Sequence, residues 1–223
     1  MKPKLTDLSR PWRDPNLTVH TKDVPLSSGK TEYTGLIYSW NTSSMLGSYI
    51  DFPGHIRETD DGVRADNADP ADFWRMPCSV IRLDRASGSG EITAKELEEA
   101  FGGRPSDRAL ILNALGRRDA FDIERRTVWL GENALDWIIG CGVTCLVSDV
   151  YESRELLGVF LKLFRAGVSA VCEPFGLDSL TEKRVLLSIV FMPVPGVTQL
   201  PCRILAEPFT STDATESRRN ISC

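Results

Sequence analysis

The sequence predicts a single α/β domain, and three observations carry that expectation. Segments rich in β-formers and closed by Gly, Pro, Asn or Asp outnumber the helical patterns. In the second half, helices alternate with short apolar strands, the pattern of a mixed sheet with covering helices. No repeat, low-complexity tract or linker divides the 223 residues, a length that buries a substantial core.

The elements follow in order. Lys4–Ser9 reads as an opening strand, and Asn16–Thr21 and Tyr33–Trp40 as two more, bounded by Pro15, Pro25 and Gly29. Residues 57–72, rich in Asp, Gly and Asn, read as a surface excursion next to a candidate site. Ser79–Asp84 is a compact strand and Gly88–Gly90 a turn. Thr93-Ala94-Lys95-Glu96 is a capping box that opens a helix over Lys95–Phe101, stopped by Gly102-Gly103. Ala109–Leu115 is a buried strand, Glu132–Gly140 a helix and Val143–Ser148 a strand. Leu156, Phe160, Leu163 and Phe164 share one face of a helix predicted over Glu152–Ala166, with Gly167 just past its end. Val168–Cys172, Val185–Met192 and Cys202–Glu207 complete the strands. The domain is expected over residues 1–209, with a polar, frayed tail over 210–223.

Composition excludes several classes. Hydrophobic residues make up 42% and charged residues 26%, ordinary for a soluble globular chain. A net charge of -5 without a basic run argues against nucleic acid. The N-terminal MKPKLTDLSRPW lacks the apolar region of a signal peptide, and no apolar stretch approaches the ~20 residues of a membrane helix. The six cysteines lie mostly in apolar runs, without zinc-ligand spacing. Buried, reduced thiols and a cytoplasmic location are expected.

The stretch that organises the chain is Met45-Leu46-Gly47-Ser48-Tyr49-Ile50-Asp51-Phe52-Pro53-Gly54-His55. Gly47, Pro53 and Gly54 shape a turn-rich segment on which Asp51 and His55 are read as loop residues. His55 is one of only two histidines, and His20 is expected at the surface.

This stretch resembles the signature H-x-G-T-H-x-D-x-P-x-H of the cyclase family, which includes kynurenine formamidase and isatin hydrolase. Gly47, Asp51, Pro53 and His55 match, Ser48 stands for threonine, and Met45 and Tyr49 replace two histidines. The opening Asp7-Leu8-Ser9-Arg10-Pro11 is similar to the family's start. Glu173, in Glu173-Pro174-Phe175-Gly176-Leu177-Asp178, matches its E-x-x-x-L-D pattern. A further family histidine falls near Leu161, where this chain has none. Asn113-Ala114-Leu115 departs from a Thr-Gly-Trp seen in relatives. The resemblance spans Leu5 to Glu207 and implies the swivelling β/β/α architecture and a homodimer or larger homo-oligomer.

In intact members the resemblance implies a divalent cation that activates water against an amide or lactone. Here three nitrogen ligands are missing. Methionine suits soft copper(I), and a tyrosine with its usual pKa near ~10 is a poor ligand for a hard ion. No metal is therefore expected; in the alternative, Asp51, His55 and Glu173 hold zinc or manganese. Without metal, His55 is the candidate general acid or base, Asp51 or Glu173 orients it or takes a proton, and Tyr49 donates to a developing oxyanion. Trp40, Phe52, Phe73 and Trp74 are candidates to line a pocket for a flat substrate, whereas Tyr38 reads as a strand residue. The bland alternative makes Asp51 a turn cap, seats His55 on a backbone carbonyl and pairs Glu173 with an arginine. Three functions follow: a metal-free acid–base enzyme on a small cyclic or aromatic metabolite, a metal-dependent amidohydrolase of the kynurenine formamidase type, and a non-catalytic binding relative.

Overall fold

In a computed structural model, the described residues are 5–12, 17–85 and 90–209. They form β1 (Thr6–Asp7), β2 (Thr18–Ser28), β3 (Thr31–Asn41), β4 (Tyr49–Asp51), β5 (Met76–Arg82), β6 (Gly90–Ile92), α1 (Ala94–Phe101), β7 (Ala109–Asn113), β8 (Val128–Leu130), α2 (Glu132–Gly140), β9 (Cys145–Ser148), α3 (Val159–Arg165), β10 (Ser169–Cys172), β11 (Arg184–Phe191) and β12 (Gln199–Pro208).

The main sheet runs β1-β12-β11-β5-β7-β9-β10-β4, and a further β12–β4 pairing joins its ends, leaving β1 outside a closed ring of the other seven strands. One edge of β12 serves two partners in turn: Gln199–Pro201 pairs with β4, and Leu205-Ala206 pairs with β1. Strands β5, β7, β9 and β10 are parallel; β4, β11 and β12 join antiparallel.

The alternation of side chains along a strand sorts residues between two cores. Ile50, Cys78, Val80, Ile111, Val147, Val171, Leu187 and Ile204 fill the barrel. Ile81, Leu110, Leu112, Leu146, Ala170 and Cys172 face outward, where Leu97, Leu135, Ile138, Leu163 and Phe164 from the three helices cover them. Tyr49 belongs to this outer layer and its neighbour Ile50 to the barrel. The parity of β4 therefore places Tyr49 and Asp51 outside the barrel.

Local signals set several boundaries. Helix α1 begins on the expected capping box: Thr93 accepts from Glu96 N at 3.3 Å while Glu96 accepts from Thr93 N at 2.9 Å. It ends at Gly102, at φ +87. Helix α2 spans the expected residues, and residues 57–72 hold only short 3-10 turns.

Other expectations need correction. The helix expected over Glu152–Ala166 is only Val159–Arg165, because Leu156 and Gly158 adopt positive φ of 52° and 78° and break the turn before it. Leu156 is exposed and takes no part in the apolar face. The signature segment is not all loop: Tyr49–Asp51 is the strand that closes the barrel. Pro25 does not end a strand. It lies within β2, whose only partner strand among the described residues is β3, so its missing N–H leaves no described ladder bond broken on a second side. The turn read at Gly88–Gly90 and the tail at 210–223 fall largely or wholly outside the described residues.

Strands β2 and β3 form a ribbon joined by Gly29-Lys30, in register from Thr18↔Asn41 to Ser28↔Thr31. Along it only Val24 and Gly35 are even half-buried. Val19, Leu36, Tyr38 and Trp40 share one face by register, while Leu26, Tyr33 and Ile37 lie on the other. All seven are exposed.

Candidate active site

The site is assembled where the end of β10 meets the segment before β4. Ser48 ties the two together, donating from Oγ to the Glu173 carbonyl at 2.7 Å and accepting from Arg10 N at 2.8 Å. Ser9 bridges to Pro174, and Phe175 N donates to Leu8 O at 2.8 Å. Gly47 permits this closeness. Its φ is +64, and a Cβ there would stand 2.7 Å from both Arg10 O and Trp12 Cδ1. Gly54 serves differently: no positive φ is needed, but a Cβ would meet Arg64 Nη1 at 2.8 Å and Asp60 Oδ1 at 2.9 Å.

Glu173 sits at φ +55, a left-handed conformation that costs a non-glycine residue ~1–3 kcal/mol. Its Oε1 accepts from Arg125 Nη2 at 3.1 Å, and its Oε2 lies 3.6 Å from Arg10 Nε without a hydrogen bond. An ion pair with so exposed a partner contributes ~0–1 kcal/mol, too little to offset the strain; the Ser48 clamp on the carbonyl holds the conformation instead. Arg10 is committed elsewhere. It grips Asp119 with two hydrogen bonds of 2.8 and 2.7 Å and lies over the rings of Phe121 and Phe175, at 4.6 and 5.4 Å.

Two cavities adjoin here. The outer one, of ≈ 550 Å³, is walled by Arg10, Asp119, Phe121 and Phe175 among others. The inner one, of ≈ 170 Å³, reaches Asp149, Tyr151, Glu152 and Phe160. Met45, Tyr49, Arg125 and Glu173 line both. Burial pushes the Tyr49 phenol well above its ordinary range, and neighbouring Cys172, Asp51 and Glu173 add to the effect, so it remains an O–H donor. Burial also lifts Asp149 to about 6, although it accepts from Ala114 N and Leu115 N at 2.9 and 3.0 Å.

Of the residues singled out in the sequence, the structure brings Tyr49 and Glu173 into this hollow. Asp51 is buried behind it, with Cys172 Sγ 3.8 Å from Oδ2 and with Oδ1 unpartnered. Burial raises Asp51 to about 6, against the opposing influence of Gln199, His55 and Cys172. His55 ends a 3-10 turn over Pro53–His55 that carries it outward, and it is exposed. Its Nε2 meets Gln199 Nε2 at 3.2 Å. Gln199 Oε1 accepts from Ser44 Oγ at 2.5 Å. His55 and Asp51 line neither cavity.

The aromatic expectations are largely corrected. Phe52 follows Ile50 in the strand's alternation and is fully buried in the barrel, edge-on to Phe73 and Phe191 at 5.8 and 5.5 Å. Phe73 and Trp74 flank a separate groove with Ala65, Pro70 and Phe191. Trp40 is on the ribbon, 50% exposed. Tyr38 shares that ribbon and is exposed, a strand residue as read but not a core one. Sequence reading missed Arg10, Arg125, Gln199 and Cys172. The alternation Tyr49-Ile50-Asp51-Phe52 held a signal for Phe52; the arginines are distant in sequence and left none.

A divalent cation of the kind the resemblance implies does not fit these residues. Met45 is a soft donor, and Tyr49 holds its proton. Glu173 is engaged by guanidinium groups, and Asp51 and His55 stand outside the hollow. Among the described residues no group of three or more His, Cys, Asp or Glu converges as a metal site.

Comparison with known proteins places the chain. The family profile described as "Putative cyclase" matches residues 6–153, about two thirds of the sequence. The chain belongs to the cyclase family. Isatin hydrolase A from Labrenzia aggregata, bound to benzyl benzoate, is similar at a TM-score of 0.70 and 15% identity, over 93% of this chain and 94% of that one. A structure described as a potential metal-dependent hydrolase with cyclase activity gives 0.68 and 16%, over 93% and 98%. Isatin hydrolase A from Ralstonia solanacearum gives 0.65 and 15%, over 92% of each. No curated protein sequence matches. These likenesses establish the single α/β domain with its barrel-like sheet as the cyclase-family fold.

Proposed function

We propose that this cyclase-family member is an enzyme that moves protons on a small cyclic or aromatic metabolite without a resident metal. Ring opening or closure, dehydration and amide or lactone hydrolysis all fall within that chemistry. One observation carries the reading: Tyr49, a lasting O–H donor, and Glu173, a carboxylate held in a strained conformation, face the same hollow. Tyr49 donates to a developing oxyanion, and Glu173 accepts or returns a proton. Asp51 and His55 act from behind β4, through the Gln199 contact. The hydrolases of like fold favour a cyclic amide among possible substrates. The test is turnover of a panel of cyclic amides and lactones by protein treated with EDTA. Glu173→Gln and His55→Ala are expected to abolish it, and chelation to leave it unchanged. Activity that disappears with EDTA and returns with zinc or manganese supports the metal-dependent amidohydrolase instead.

The outward position of His55 favours a second reading, a binding protein without catalysis. It predicts that His55→Ala leaves ligand affinity intact while no panel member turns over.

The chain is further proposed to be a homodimer or larger homo-oligomer, with the exposed β2–β3 ribbon as its contact arm. Lys22, Lys30, Asp23 and Glu32 cancel, so the arm is near neutral on an acidic protein. A cytoplasmic location is proposed from the five described cysteines, all free. No described helix is long and apolar enough to cross a membrane.

A further inference from the structure

Positive charge at the neck between the two cavities comes from one side chain. Met45, Tyr49, Arg125 and Glu173 are the four residues common to both cavities, and Arg125 is the single cation among them. Arg10 also reaches the outer cavity, but its Nη atoms are taken by Asp119 and by the Pro174 carbonyl, and its Nε is buried 3.6 Å from Glu173 Oε2. Arg125 differs. One of its five N–H groups goes to Glu173, its plane lies 5.0 Å from the Phe121 ring, and its side chain is 68% exposed. It is thus oriented from two sides and keeps donors free.

The charges around the outer cavity define what it can hold. Arg10 is matched by Asp119 and Arg125 by Glu173, which leaves Asp122 as the surplus group in the wall. A carboxylate ligand finds no unmatched cation there. The remaining wall includes Met45, Leu46, Tyr49, Phe121 and Phe175, flat or apolar surfaces. Such a wall suits an uncharged planar ring that presents one acceptor oxygen.

We propose that Arg125 is the electrophilic group of this hollow, hydrogen-bonding the carbonyl oxygen of an uncharged, planar cyclic ligand and standing in for the cation that the other residues no longer fit. Glu173 holds the guanidinium in place, and Phe121 supports its face. The Tyr49 hydroxyl is the second donor to the same oxygen. A guanidinium carries permanent charge and presents its donors in a fixed fork, which is what polarising a carbonyl demands when no ion is present. The proposal rests on the functional reading above and extends it with a residue and a ligand charge.

The experiment is calorimetric titration of the wild-type chain, Arg125→Lys and Arg125→Met with isatin, phthalimide and coumarin, and with the ring-opened carboxylate of isatin. Because Arg125 is an exposed loop residue, all three proteins are expected to melt alike. Wild type is expected to bind at least one neutral ring and to bind the carboxylate at least tenfold more weakly. Arg125→Met is expected to lose about thirtyfold in affinity for that ring, and Arg125→Lys only three- to tenfold. Equal binding by wild type and Arg125→Met overturns the role of Arg125 while leaving the proton-transfer reading standing. Preferential, Arg125-dependent binding of the carboxylate overturns the assigned ligand charge. Failure of wild type to bind any of the four compounds overturns both this inference and the reading beneath it.

Discussion

Gln199 and His55 meet at 3.2 Å across the seam where β12 closes the barrel on β4. Ser44 holds the far end of the same amide, so a buried glutamine connects the segment before the signature to its last residue. Removing the amide leaves the Ser44 hydroxyl and the imidazole without their partner. Gln199→Leu is expected to lose ~1–3 kcal/mol of stability in urea unfolding, and Ser44→Ala about 1 kcal/mol. The double variant is expected to lose no more than Gln199→Leu alone, because the three groups form one network. Simple additivity of the two losses would show that they do not act together.

Acid should stabilise this protein down to about pH 4. Asp51 and Asp149 hold their protons to about pH 6 in the folded chain, roughly two units above an unfolded aspartate. Between about pH 4 and 6 the folded state binds more protons than the unfolded one, so stability falls as pH rises through that window. The penalty is complete above it, on the order of 2–3 kcal/mol for each fully buried group. Asp7, Glu96 and Asp119 act oppositely. Partnered by Arg203, Thr93 or Arg10, they are held below their usual range and withdraw their stabilisation only as pH falls below about 4. Thermal melts from pH 3 to 8 should therefore peak near pH 4, and Asp51→Asn should reduce the decline towards pH 8 by about half. A melting temperature that climbs steadily to pH 8 would contradict the assignment.

Gly47→Ala is expected to cost ~2 kcal/mol or more. The added methyl enters a left-handed backbone position and lies 2.7 Å from the Arg10 carbonyl. Because Arg10 carries Asp119 and abuts Glu173, the strain should spread into the hollow. Urea unfolding measures the first effect, and weakened binding of a neutral ring measures the second.

The ribbon gives a prediction about assembly. Eleven residues per strand at ~3.3 Å make it about 36 Å long, and each face of a strand pair about 10 Å wide offers ~360 Å². Both faces together approach the ~800 Å² per partner of a standard interface, whereas an isolated hairpin is marginal in water. Replacing Leu36, Tyr38 and Trp40 by threonine keeps strand propensity and removes the apolar stripe of one face. Light scattering should show the wild type as an oligomer and the triple variant as a monomer. A monomeric wild type would refute the arm.

What the sequence revealed divides along the range of the physics involved. The Thr93–Glu96 box and helix α2 were legible because caps and helical periodicity are local. Strand β4 was not, since a three-residue strand set between Gly47 and Pro53 is too short to stand out among turn signals. The first half of the helix expected at 152–166 failed on backbone sign: apolar spacing at Leu156 says nothing of its φ of 52°. Tyr49 and Glu173 were found through the family signature. The Arg10–Glu173–Arg125 cluster joins three distant segments, and only the closing of the barrel at β4 and β10 brings them together.

Phe52 separates a pocket residue from a core residue most cleanly. Its place beside Asp51 suggested contact with a substrate, yet its ring is edge-on to Phe73 and Phe191, which are themselves 5.3 Å apart. Truncating the fully buried member of this aromatic trio removes its apolar area and leaves a void that the two others cannot fill, ~3–5 kcal/mol for Phe→Ala. Phe52→Leu keeps much of the volume and should cost about half as much. Neither change reaches the hollow, because Phe52 lines neither cavity. In the folded fraction, ligand affinity should remain within twofold of wild type, while urea midpoints fall in the order wild type, Phe52→Leu, Phe52→Ala. Reduced affinity in Phe52→Leu without reduced stability would return Phe52 to the binding site.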